Sequence, residues 1–261
     1  MTIVPGDGKR HRIGGLAGSA ALDRTLDRVL AVQRPVVLAH IRSIRRAKPD
    51  ATPEQVIRTL ERRYLAAVTT GGALVGATSA IPAVGTIASI ALSTAETAGF
   101  LEASALFAQS VTEVHGIAVT DPERARTLVM TMILGGAGSE LVEQLAGEVV
   151  GVAPGRTTFW GELVTKSIPK SAVNGVAKRV RAFFVKKFAA SEGASIVGRA
   201  IPFGIGAVIG GAGNHFLGRR VVASARTAFG PAPARFPLVL VSRPVLVAVP
   251  PQAVQSKTLP S

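Results

Sequence analysis

The chain has 261 residues, 48% of them hydrophobic, with a mean hydropathy of +0.37 and a formal charge of +14. That apolar content supports a substantial core and excludes a disordered protein. The absence of cysteine excludes disulfides, thiolate catalysis and cysteine-based metal sites, and an aromatic share of 5% disfavours base stacking on nucleic acid.

Residues 1–20 are polar and Gly-rich, with Lys9, Arg10 and Arg12 clustered and no apolar signal core behind them. They read as a flexible leader. Helical periodicity begins at Ala21 and carries Leu22, Leu26, Leu30, Ile41 and Ile44, with Pro35 as a kink or interruption. Thr52-Pro53-Glu54-Gln55 is a helix start, since Thr52 can cap and Gln55 can return the bond. A further helix is expected to restart at Pro82 behind Ser79 and to end near His115-Gly116. Thr120-Asp121-Pro122-Glu123 repeats the start signal, and Gly135-Gly136 bends or breaks the helix that follows. Trp160 opens a helical region interrupted at Pro169. The last helix covers residues 201–228, and the proline-rich tail 231–261 reads as extended and able to pack on the body through the short apolar runs FPLVLV and PVLVAV. The pattern predicts one all-α domain over 21–230, a helical bundle with Gly/Ala-rich, tightly packed central helices.

Two stretches, 64–95 and 200–218, carry no charged side chain. In the second, Gly206, Gly210, Asn214 and Gly218 recur every fourth residue, which leaves a strip without bulk on one helix face. Gly72 and Gly76 repeat the spacing in the first. The expected result is a packing seam between the two helices. Membrane spanning is the alternative, although each arm is marginal against the roughly 20 apolar residues a span needs.

Between 163 and 191 there is no acidic residue, while Lys166, Lys170, Lys178, Arg179, Arg181, Lys186 and Lys187 accumulate. Val173, Val176, Ala177, Val180, Phe184 and Phe188 keep the helical period beside them. The expectation is a dock for an anionic membrane, with Phe184 and Phe188 burying next to the charges. The plain alternative is a solvated helix face.

Glu96 and His115 are the candidate buried polar groups. His115 suits the negative end of its helix. No pair of histidines has ligand spacing, and neither a G-x-S-x-G nor a G-x-x-x-x-G-K-[ST] pattern is present. The sequence therefore supplies no catalytic set, no metal site and no cofactor motif.

The segments TAETAGFLEASALFAQSVTEVHGIAVTDPERARTLVMTMILGG and VGRAIPFGIGAVIGGAGNHFLGRRVVASARTAF resemble the middle and the C-terminal signature of the EcsC family. The resemblance spans residues 65–229. The family is named for a gene neighbouring an ABC-transporter pair; the resemblance implies a helical bacterial protein near the membrane, and it carries over no catalytic residues. The resulting expectation is a non-enzymatic protein on the cytoplasmic face of the membrane, with a transporter or envelope complex as partner. An enzyme of unrecognised hydrolase type using Glu96, His115 or a serine is one alternative. A nucleic-acid binder using the Arg-rich segments is the other.

Overall fold

The computed structural model describes residues 27–78, 86–150, 159–198 and 205–241, apart from 29 and 31. The expected leader, the restart at Ser79 and Pro82, the loop near Pro154 and the tail past 241 lie outside the described residues. Every regular element among the described residues is helical. The chain order is α1 (Arg34–Ala47), α2 (Pro53–Thr78), α3 (Thr86–Val114), α4 (Pro122–Leu134), α5 (Gly136–Val150), the single turn α6 (Trp160–Glu162), α7 (Lys170–Gly198) and α8 (Ile205–Phe229).

The helix ends follow local chemistry. Pro35 starts α1 rather than kinking it, because its fixed φ and missing N–H suit a first turn. At α2 the capping box closes in both directions. Gln55 N donates to Thr52 Oγ1 at 3.3 Å, and Thr52 N donates to Gln55 Oε1 at 3.0 Å. Asp121 caps α4 by accepting from Glu123 N and Arg124 N. α3 stops at Gly116, whose φ of 74° allows Ile117 N to reach back to Thr112 O and Gly116 N to Glu113 O. Gly135, with φ 66°, separates α4 from α5. α6 runs on into a π-helical turn, Leu163–Ser167, before Pro169. The buried guanidinium of Arg124 donates there to the carbonyls of Val164 at 2.8 Å and Ile168 at 2.6 Å, satisfying acceptors that the irregular turn leaves open.

α4 is the most enclosed helix, with Leu128, Val129 and Met132 in the core. Its buried Thr127 and Thr131 spend their hydroxyls on carbonyls one turn back. α7 packs on α4 and α5 through Val173, Val176, Val180 and Phe184. α2 and α8 form the most extensive helix contact. They run antiparallel: the Glu61 carboxylate accepts both arms of the Arg226 guanidinium at 2.8 and 2.7 Å at one end, and Gly72 meets Gly210 near the other. α3 lies against both, with Tyr64 stacked on Phe107 at 4.7 Å and bonded to Ser104 at 2.8 Å. Among the described residues, the charge-free lengths of α2 and α8 therefore share one end of the bundle.

The tail does not leave the body at once. Leu240, in a 3-10 turn Leu238–Leu240, is buried, and Phe236 lies under the guanidinium of Arg45 at 4.4 Å.

Candidate functional site

Three features carry the residues singled out by the sequence. The first is the α2–α8 contact. A Cβ on Gly72 would lie 2.5 Å from Gly210 O and 2.7 Å from Asn214 Nδ2. A Cβ on Gly210 would strike Gly72 O and come within 3.6 Å of Gly76 Cα. A Cβ on Gly218 would come within 3.0 Å of the side chains of Leu65 and Val68. Five of the six expected packing residues thus lie at this contact. Gly206 is within α8, but its surroundings lie outside the described residues.

Asn214 supplies the polar element of this seam. Its Nδ2 donates to Val68 O at 3.2 Å and to Glu96 Oε1 at 3.1 Å, so one side chain ties α8 to α2 and α3. Thr69 and His215 add a 3.0 Å bond on the exposed side. Glu96 is half-buried, and its role here is an interhelical acceptor.

The second feature is the basic face of α7, and here two expectations change. Phe184 is 1% exposed and packs inside the bundle, as do Val173, Val176, Ala177 and Val180. A 3.6-residue apolar stripe says that a helix has a buried face, and here the protein itself covers that face. Phe184 is therefore core and is not available to a membrane. The side chain of Phe188 lies outside the described residues. Acids outside the run, one of them only four residues before it, also neutralise part of the charge. Arg179 pairs with Glu148 at 2.6 Å, Arg181 with Asp27 at 3.0 Å and Lys166 with Glu162 at 3.6 Å.

Lys170, Lys178, Lys186 and Lys187 are exposed and meet no carboxylate among the described residues. Lys187 lies 5.8 Å from the ring of Phe183. The first three follow at eight-residue steps, and each step turns the charge about 80° around the helix. They form a broad cationic band rather than a narrow stripe.

The third feature is His115. Its Nδ1 lies 2.9 Å from Val111 O, and its ring stacks on Phe229 at 5.2 Å. Burial pushes its pKa below the ordinary value, against the opposing pull of nearby backbone carbonyls. His115 lines a groove of about 740 Å³ with Phe107, Glu61 and Arg226. It stands about 28 Å from Glu96 along α3 at 1.5 Å per residue, so those two residues cannot act on one substrate atom. Among the described residues, no group of three His, Asp or Glu could hold a metal, and no helix is long and apolar enough to cross a membrane. The spanning alternative for the two charge-free stretches thus has no support in the described helices. Their common end does expose Leu74 and Phe216, at 65% and 64%.

Comparison with protein-family models, curated proteins and solved structures found no match.

The sequence passed over several charge contacts because they join distant segments. Glu113, buried at the end of α3, accepts Arg34 Nε at 2.5 Å and Arg34 Nη2 at 3.2 Å. No short-range spacing signals that pair, nor the Arg226–Glu61 fork.

Proposed function

We propose that the protein is a non-catalytic helical protein that rests on an anionic membrane surface from one side. The observation that supports this reading is the band of Lys170, Lys178, Lys186 and Lys187, exposed and without carboxylate partners among the described residues. Each such lysine near an anionic leaflet contributes about 1 kcal/mol, and the attraction is screened over about 8 Å at physiological ionic strength. The docking energy is then chiefly electrostatic, since Phe184 faces inward.

The EcsC resemblance adds a bacterial setting, the cytoplasmic leaflet as the surface, and a transporter or envelope complex as the neighbour on it. Cell fractionation tests the reading. The protein should sediment with membranes at low salt and be released by a high-salt wash. Recovery in the soluble fraction at low salt would reject membrane association. Retention through both salt and alkaline carbonate would reject a peripheral, electrostatic attachment.

A further inference from the structure

Among the described residues some arginines pair with acids and others do not, and of the latter Arg42, Arg45 and Arg46 cluster on one helix. Arg34, Arg58, Arg126, Arg179, Arg181 and Arg226 each meet a carboxylate. Arg42, Arg45 and Arg46 meet none among the described residues, and Asp50, the nearest acid in sequence, forms no ion pair with them. These three occupy positions i, i+3 and i+4 of α1 and so share a face. Like charges at that spacing repel. The negative end of α1 offsets only part of the cost for Arg45 and Arg46.

The three line one side of a cleft of about 870 Å³, within the usual range for a ligand site. The opposite side is the tail segment 238–241, where Leu238 is 90% exposed and Val239 and Val241 are also exposed. Arg45 is fixed between the two sides by its stack on Phe236, with Nε buried. A cationic wall thus faces an apolar wall across one opening. Water solvates the first well and the second poorly. A ligand with an anionic head and an apolar body satisfies both.

We propose that this cleft binds a phosphate-bearing amphiphile. Its phosphate is held by Arg42, Arg45 and Arg46, and its apolar part lies on Leu238, Val239 and Val241. Guanidinium is suited to this role because its planar fork can give two parallel N–H bonds to phosphate oxygens. The site does not depend on the lysine band of α7, and soluble probes test it without any membrane.

The experiment is isothermal titration of the full chain with three probes: inorganic phosphate, monomeric short-chain phosphatidylglycerol, and phosphatidylglycerol vesicles. The expected result is saturable binding of the short-chain lipid, tighter than that of phosphate. The doubly substituted variant Arg42→Gln, Arg46→Gln should weaken the lipid by roughly tenfold or more, the size of a lost charge-assisted bond. Both positions are exposed, so its circular dichroism should match the parent and its Tm should be equal or slightly higher, since like-charge repulsion is relieved. Leu238→Ser should weaken the lipid and leave phosphate unchanged. Equal affinity for phosphate and lipid would overturn the amphiphile. Lipid binding that survives the double arginine substitution, or no saturable binding by the parent, would overturn the site. Vesicle binding that persists when short-chain lipid binding fails would reject this cleft and leave the α7 band standing.

Discussion

Gly72 and Gly210 face each other so closely that a methyl group on either would collide with the other's backbone carbonyl. Hydrogen is the only substituent that fits, and Cα–H groups can then point at the facing carbonyls as weak hydrogen bonds. Gly210→Ala must move backbone against backbone. It should cost about 1–3 kcal/mol by overpacking, outweighing the helix preference of alanine of about 1 kcal/mol. Gly210→Leu should cost more. Gly213, on the same helix, faces open space, so Gly213→Ala should raise the Tm. Thermal denaturation of the three variants separates the cases. Equal melting of Gly210→Ala and Gly213→Ala would mean that α2 and α8 do not touch there.

Asn214→Leu should be destabilising for a different reason. It removes the hydrogen bonds that Asn214 gives to Glu96 and to the Val68 carbonyl across a part-buried seam. The expected loss is about 1–3 kcal/mol, read as a lower denaturant midpoint. His215→Ala, on the exposed side, should cost well under half as much. If the two variants unfold alike, Asn214 is not the tie between the three helices.

Stability should also depend on pH in the weakly acidic range. His115 has a pKa below its ordinary 6.5, through burial. His40 is lowered too, by burial and then by the nearby Arg63. The unfolded chain therefore takes up these protons first. Their contribution is fully present above about pH 6.5 and is lost progressively as pH falls below it. Carboxylate protonation begins lower, so a decline between pH 6.5 and 5 reports the histidines. His115→Phe, which can keep a ring on Phe229, should flatten that part of the profile. An unchanged slope would mean that His115 keeps its ordinary pKa in the fold.

What was legible in the sequence was what short-range rules govern. Thr52 with Gln55, Asp121 before Pro122, and Gly116 after α3 each act within a few residues, so spacing alone identifies them. The facing of Gly72 and Gly210 could also be anticipated, because small residues at four-residue intervals leave a groove that only another backbone fills. Phe184 shows where periodicity stops. It marks an apolar face but cannot say whether a bilayer or the body of the protein covers it. The pairings of Glu113 with Arg34 and of Arg181 with Asp27 join residues far apart in the chain. The cleft at Arg42 needs the tail to fold back over α1; the apolar run FPLVLV marks the tail as able to pack on the body, but nothing in either segment says that α1 is where it packs.

The most direct measurement of membrane docking is co-sedimentation with vesicles of the parent and of a variant carrying Lys170→Gln, Lys178→Gln, Lys186→Gln and Lys187→Gln. All four positions are exposed, so the fold should persist, and circular dichroism checks that it does. At about 1 kcal/mol per lysine near the surface, the parent should bind anionic vesicles more tightly than the variant by about two to three orders of magnitude. Its binding should weaken with salt, and neutral vesicles should retain neither protein. Equal binding of parent and variant to anionic vesicles, or equal binding of the parent to neutral and anionic ones, would contradict docking through α7.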